Sequence, residues 1–464
     1  MTVQAVAGPR SDISTMRRGI CPTLGVPMPT GDGLLARFRT DDCRLTLAQM
    51  RAVAQAASAF GNGIIEITAR GSLQIRGLRP ATVEPLEQAI LDAGIVPASG
   101  VMVEVPALAG IDPDAWIDPR PIADDIRRLV ADSMAGLALA PKLAVIVDGG
   151  GRANLGAVTA DVRLTAIDRE RMMLAVGGTN RSARGVALVD WEKAAEAVLR
   201  VLRAIAAIGP AARGRDIEPE TLDGLFDPTA AGVRIPATAR PILGFEQLGV
   251  PPSSAADPSN LGHDNWVLGL ALPYRQARAA DMINLLDAVE MLGISDIRLC
   301  RGHGLILTGL HYGQLLRAEA AARKFGFWTS ETEPRANIAL CAGTMGCASA
   351  HFDTRAAADL AAGKAPAILD GSITLHLSGC PKGCAHPAAT ALTLAGAPSG
   401  YGLVVNGAAS GQPALYIATN DLEIALVRLA SLVAGAKEAG ETVSDCLGRL
   451  GPARLVAALT LDGQ

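Results

Sequence analysis

At 464 residues the chain is longer than one ordinary core and predicts roughly two to four domains. Apolar residues make up 49% and charged residues 19%, the composition of a well-packed globular protein. An aromatic content of 3% and a formal net charge of −4 exclude base-stacking platforms and a general polyanion-binding surface, so no nucleic-acid partner is expected.

Met1 to Cys21 carries arginines but no apolar run of signal-peptide length. Eight cysteines are too sparse for a disulfide scaffold and fit free thiols in a reducing cytoplasm. Gly33–Arg39 then reads as a strand, and Leu47–Phe60 as a helix with apolar residues three and four apart. Ile64–Thr68 and Ser72–Gly77 form a hairpin around Ala69-Arg-Gly71. A helix over Val83–Ala93, with Pro85 in its first turn, completes a ferredoxin-like half. A second unit follows, with Ile122–Met134 as helix and Lys142–Val147 as an apolar strand ending at Asp148-Gly-Gly-Gly151. Val162–Leu164 and Met172–Val176 read as strands and Trp191–Ala207 as a helix. The triple glycine lacks the G-x-G-x-x-G spacing of a dinucleotide loop, so electrons are expected from a separate reductase.

The pattern then repeats. Phe60–Leu78 overlays Leu292–Leu310 without a gap, and Gly61, Leu73, Gly77 and Leu78 match Gly293, Leu305, Gly309 and Leu310. At the same offset Leu34–Arg37 meets Trp266–Gly269. Ala356–Ala362 follows as a helix, and Ile373–Leu377 as a strand running into Ser378-Gly-Cys380. Leu403–Val405 and Tyr416–Ala418 are strands, and Leu422–Ala434 is a helix. The charge-free stretch Ala385–Asn420 is broken by Pro387, Pro398 and Pro413, so it is no membrane-spanning helix. The expected class is α+β: ferredoxin-like halves at 19–95 and 260–330, and α/β units at 96–240 and 331–464, around a shared central cavity. Pro- and Gly-rich linkers fall near 227–241 and 251–262. Internal duplication supplies what a homodimer would otherwise provide, which predicts a monomer.

Cys341-Ala-Gly-Thr-Met-Gly-Cys347 and Cys380-Pro-Lys-Gly-Cys384 spell C-x5-C followed by C-x3-C. Four thiolates are the usual ligand set of a 4Fe-4S cluster, whereas zinc sites favour C-x2-C and C-x4-C pairs. Glycines around the thiols let backbone wrap closely about a compact group. The first unit has Asp148-Gly-Gly-Gly151 where the second has cysteines, so the second half alone can hold a cluster. Cys21, Cys43, Cys300 and Cys446 stand singly and read as core thiols.

From about Gly19 onward, this combination resembles the sulfite/nitrite reductase superfamily. Within it the chain looks most like the precorrin-3B synthase family, through Gly19-Ile-Cys-Pro22, Leu108-Ala-Gly-Ile-Asp-Pro113, Lys142–Gly150 and Ser378–Pro387. The resemblance implies sulfite-reductase-like α/β units and electron transfer through the cluster. It also implies an oxygen- and reductant-dependent hydroxylation of precorrin-3A at C20 with γ-lactone closure, with NADH as the indirect electron source. The alternative it leaves is a sirohaem-dependent sulfite or nitrite reductase, in which Cys384 would also touch haem iron. The Asn-Arg-Asn-type segment of those reductases is replaced by Gly100–Pro106, and a second basic residue beyond Lys142 by Leu143-Ala144. That loss of cations disfavours reduction of a small oxyanion.

A polycarboxylate macrocycle needs guanidinium and ammonium partners. The candidates are Arg37 and Arg39 on the first strand, Arg70 and Arg76 in the hairpin, Lys142, and Lys382 between the last two cysteines. Copy two has Gly269, Ala271, Gly302 and Thr308 opposite the four arginines, so the fold itself does not demand them. His386 is placed to donate to the cluster or substrate, and His376 and His303 read as strand residues. A separate non-haem iron for dioxygen would take two His and a carboxylate. No local H-x-D/E motif marks one, and no such site or catalytic residue is assigned.

Overall fold

The computed structural model describes residues 22–30, 32–68, 70–133, 138–226, 242–248, 265–302, 304–330 and 333–460. The expected linkers, Cys21, Ala69 and His303 lie outside them. The first half comprises β1 (Met28–Thr30), β2 (Gly33–Phe38), β3 (Arg44–Thr46), α1 (Leu47–Phe60), β4 (Ile64–Ile67), β5 (Leu73–Leu78) and α2 (Val83–Asp92). Thr46 starts α1 through a capping box. Its hydroxyl accepts from the Gln49 amide at 3.1 Å, and Gln49 Oε1 accepts from the Thr46 amide at 3.0 Å. The following unit holds β6 (Met102–Glu104), α3 (Arg120–Ser133), β7 (Ala144–Asp148), β8 (Ala160–Ala166), β9 (Arg171–Gly178), β10 (Arg184–Asp190), α4 (Ala194–Ile208) and α5 (Pro219–Asp223).

The second half contains β11 (Gly244–Leu248), β12 (Asn265–Ala271), β13 (Gln276–Arg278), α6 (Ala279–Glu290), β14 (Asp296–Cys300), β15 (Gly304–Leu310) and α7 (Tyr312–Lys324). The last unit contains β16 (Ile338–Leu340), α8 (Gly343–Gly346), α9 (Thr354–Lys364), β17 (Leu375–Ser378), β18 (Thr390–Ala397), β19 (Gly400–Gly407), β20 (Leu415–Ile417), α10 (Leu422–Ala436) and α11 (Val443–Thr460).

These strands make four five-stranded sheets among the described residues, ordered β1-β2-β5-β4-β13, β11-β12-β15-β14-β3, β10-β9-β8-β7-β6 and β16-β17-β18-β19-β20. The first two exchange a strand. Gln276 pairs with Glu66 and Ala277 with Ile65, while Arg44 pairs with Arg298 and Leu45 with Ile297, so the two registers superpose at the repeat offset. One core results, in which Met50, Val53 and Ile65 pack with Met282, Leu286 and Ile297, all fully buried. Burying each such aliphatic side chain is worth about 1.5–3 kcal/mol, which locks the halves into one body.

Both α/β sheets share one topology: three parallel strands, β6-β7-β8 or β16-β17-β18, continued by two antiparallel ones. Each unit keeps its own apolar core, the first around Val145, Leu164 and Val198, the second around Leu377, Leu392 and Leu429. The fully buried β7 is apolar up to its last residue, Asp148, as a parallel strand covered on both faces should be.

Candidate active site at the cysteine loops

β16 and β17 are parallel neighbours, with Ile338 opposite Leu375 and Leu340 opposite Leu377. Each ends where a cysteine loop begins, so Cys341 and Cys380 leave the same carboxyl edge of one sheet, the usual place for a ligand in an open α/β sheet. The loops are stitched together by the backbone. The Gly379 amide donates to Cys341 Sγ at 3.1 Å, and the His351 amide to the Gly379 carbonyl at 2.7 Å. Thr354 Oγ1 donates to the Cys341 carbonyl at 2.7 Å. A Cβ on Gly379 would stand 2.6 Å from Ala350 Cβ and 3.4 Å from Cys341 Sγ, so only glycine lets the loops approach. Gly383 turns the last loop with φ 62°.

All four thiols, Cys341, Cys347, Cys380 and Cys384, line one cavity of about 370 Å³. Cys380 is buried, Cys341 and Cys347 are half-buried, and Cys384 is exposed. Burial pushes the Cys341 and Cys380 thiols up, and the neighbouring thiols add to the effect; amide hydrogen bonds oppose it. A cationic inorganic group would supply the missing counter-charge. Among the described residues no group of three His, Cys, Asp or Glu converges on a single ion. The four thiols share the lining of one cavity instead.

The opposite wall comes from the first ferredoxin-like half. Arg37 Nε donates to Gln74 Oε1 at 2.8 Å, and Gln74 Nε2 donates to Glu66. Gln276 Nε2 donates to the same carboxylate at 2.8 Å, and Arg355 Nη1 to Gln276 Oε1 at 3.2 Å. This polar chain crosses from one half to the other through the swapped strand β13. Arg76, 6% exposed, is held by Asp32 at 2.9 Å and by Glu66 at 3.4 Å. It also donates to the Gly346 carbonyl, beside Cys347. It lines the same cavity and braces the cysteine loop.

The other expected basic residues line neither this cavity nor the one beside it. Lys382 sits within the last loop, between Cys380 and Cys384, with Nζ 3.1 Å from Ser349 Oγ. Arg39 lies beyond the end of β2, half-buried, with its charge acting on Cys43. Arg70 reaches away to Glu104 at 2.6 Å and to the Thr159 carbonyl at 3.2 Å. Lys142, expected at the cavity, is instead exposed. Its strand starts only at Ala144, and its carbonyl is taken by Arg213 at 3.0 Å. His376 is fully buried with neither ring nitrogen partnered, 5.8 Å from the ring of His386. Burial, His386 and Arg275 together push it down to about 4.

A second cavity of about 470 Å³ adjoins the first and shares Tyr274 and Arg275 with it. Leu155, Val158, Leu272, Ile306 and Trp328 make it largely apolar, and Arg301 enters its wall. Tyr274 and Arg275 both take left-handed backbone, at φ 52° and 69°, a conformation costing about 1–3 kcal/mol for a non-glycine residue. Packing holds them there. The Tyr274 hydroxyl donates to Asp359 at 2.7 Å, and its ring meets Trp328 edge-on at 5.3 Å. Burial and then Asp359 push the phenol up. Arg275 Nη1 donates to the Ala385 carbonyl at 2.9 Å, directly after Cys384. Sequence reasoning missed this pair. Extending the repeat overlay past Asp42-Cys43 sets Tyr274-Arg275 opposite it and was the available signal.

In the first unit the matching loop is held by carboxylates. Asp148, fully buried, accepts from the amides of Gly150 and Leu155, and Asp112 from those of Asp114 and Arg152. No thiol is present in that loop.

Comparison with known proteins agrees with this fold. Residues 26–93 match the nitrite/sulfite reductase ferredoxin-like half domain. A precorrin-3B synthase of Sinorhizobium sp is 46% identical over 458 residues, covering 98% of this chain and 97% of that protein. The hemoprotein beta-component of a sulfite reductase from Xylella fastidiosa is 28% identical over 164 residues, only 28% of its length. The structure of the Mycobacterium tuberculosis NirA protein superposes with a TM-score of 0.67 and 17% identity, over 91% of this chain and 84% of that one. This likeness shows the shared duplicated fold.

Proposed function

The chain belongs to the precorrin-3B synthase family, and on that premise we propose that it is a monooxygenase converting precorrin-3A to precorrin-3B in aerobic cobalamin biosynthesis. The observation that carries the reading beyond the family is the joining of four thiols and a guanidinium-lined wall in one cavity. Precorrin-3A, dioxygen, two electrons and two protons give the hydroxylated product and water. One oxygen atom enters at C20, and a ring-A acetate closes the lactone onto C1.

Cys341, Cys347, Cys380 and Cys384 are the proposed ligands of a 4Fe-4S cluster, which when bound supplies electrons one at a time. NADH is the indirect source, through a separate reductase. Arg37 brings positive charge to the cavity wall for a macrocycle carboxylate, while its Nε and Nη2 both donate to Gln74 Oε1 and Gln74 in turn donates to Glu66. Lys382 and Arg39 are the proposed partners of further carboxylates, although neither lines the cavity itself, while Arg76 and Arg70 hold neighbouring segments in place. Among the described residues no helix is long and apolar enough to cross a membrane. A cytoplasmic monomer is the proposed working form.

Anaerobic purification followed by absorption and EPR spectroscopy and acid-acetone extraction tests the cofactor side. The expected result is a cluster signal with no extractable iron tetrapyrrole. Sirohaem in stoichiometric amount would overturn the reading in favour of a sulfite or nitrite reductase.

A further inference from the structure

We propose that Arg275 is the positioning residue that couples the apolar cavity beside Trp328 to the loop carrying Cys384. One edge of its guanidinium fixes the Ala385 carbonyl at 2.9 Å, and the other receives a carboxylate of the bound macrocycle. This rests on the reading of the four thiols as cluster ligands.

Three independent observations lead here. Arg275 is lined up on both cavities, with thiols on one side and apolar walls on the other. Among the described residues its guanidinium has a single hydrogen-bond partner, and burial lowers its affinity for its proton. A half-buried guanidinium with donors to spare is a strong receptor for a carboxylate. The third observation is the backbone. Cys43, at the same place in the first repeat, takes the same left-handed conformation, φ 59° against 69°. The fold therefore sets the turn, and the guanidinium is an addition peculiar to the side that carries the cysteines.

The coupling follows from geometry. A carboxylate drawing on Arg275 shifts the donor that holds Ala385, and Ala385 is covalently next to Cys384. Occupancy of the cavity is thereby felt at the thiol most open to solvent.

Arg275→Asn removes the guanidinium while suiting left-handed backbone, and Arg275→Lys keeps the charge but loses the planar fork that can serve two partners at once. Both variants and the wild type are purified anaerobically, and iron and sulfide are counted first. A wild type without a cluster refutes the cluster reading, yet the KM comparison still tests Arg275. The reduced-cluster EPR spectrum is then recorded with and without uroporphyrin III, an octacarboxylate macrocycle. The wild-type spectrum is expected to shift on binding. Arg275→Asn should keep its iron and lose the shift, and its KM for precorrin-3A should rise about tenfold or more with kcat little changed. Arg275→Lys should fall between. If Arg275→Asn loses iron, Arg275→Lys decides, and a wild-type KM there overturns the proposal. A wild-type cluster signal indifferent to bound macrocycle, or an Arg275→Asn protein with the wild-type shift and KM, overturns it as well.

Discussion

Cys43 and Arg275 occupy one position of a duplicated turn, both with left-handed backbone, φ 59° and 69°. Each immediately precedes the short strand that crosses into the other half's sheet. The turn is thus a fixed device for exchanging strands, and what differs is the group it carries. Cys43 points its chemistry inward: burial pushes its thiol up to about 11, and the neighbouring Cys300 is pushed up to about 12. Arg275 carries a cation to the cavity lined by the four cysteines. Duplication gave two equal walls, and side-chain replacement made one of them a site.

The cysteine set predicts an all-or-nothing cofactor. Replacing Cys341, Cys347 or Cys380 by Ser should each remove the cluster and with it the iron-linked absorbance, because a serine oxygen is a poor partner for that soft site. Iron and acid-labile sulfide analysis of each purified variant checks this, and full iron content in any of the three would remove that residue from the ligand set.

Two basic residues that look alike in the sequence should behave differently. Arg37→Ala should raise KM for precorrin-3A about tenfold while leaving kcat within a small factor, since a charge-assisted bond is worth about 1.5–3 kcal/mol. Lys142→Ala should leave both constants unchanged, because Lys142 is exposed and lines neither of the two cavities. Steady-state kinetics at saturating reductant decides, and equal effects at the two positions would contradict the placement.

Glu104 joins three parts of the chain. It is 7% exposed, accepts from Arg70 at 2.6 Å and also pairs with Arg301. Arg70 is 39% exposed and contributes little by itself. Removing the shared carboxylate leaves Arg301 poorly solvated without its partner, so Glu104→Ala should cost about 3 kcal/mol. Urea denaturation checks the loss, and a variant within a few tenths of wild type would show the pair to be dispensable.

His376 predicts a specific pH dependence. Its folded value is about 4 against an ordinary 6.5, so as pH falls the unfolded chain takes up the proton first. Its contribution is complete above about 6.5 and is lost as pH falls towards 4. Between pH 7 and pH 5 this amounts to roughly 2 kcal/mol. His376→Phe should lack that component and, relieved of two unpartnered nitrogens, should be at least as stable as wild type at pH 7. Matched denaturation curves at the two pH values measure it, and identical pH slopes would contradict it.

Local pattern made much of this readable. α1 spans Leu47–Phe60, as its apolar spacing says, and the parallel strand into Asp148 announced itself by composition. The cysteine spacing marked the loops directly. The exchanged strands β3 and β13 were missed because three residues carry no period, and their pairing is decided by the far half. β18 was missed for another reason. Its Thr390–Ala397 run is mostly small residues around Leu392 and Leu394 and is buried on both faces, so alternation is too short to read. Arg275 escaped because its role depends on where two cavities meet, which no single stretch encodes.

The most direct measurement is mass spectrometry of the product formed from precorrin-3A under ¹⁸O₂, with enzyme, reductase and NADH. The account predicts a lactone carrying one ¹⁸O atom. Unlabelled product, or untouched precorrin-3A from a preparation that reduces sulfite, would contradict it.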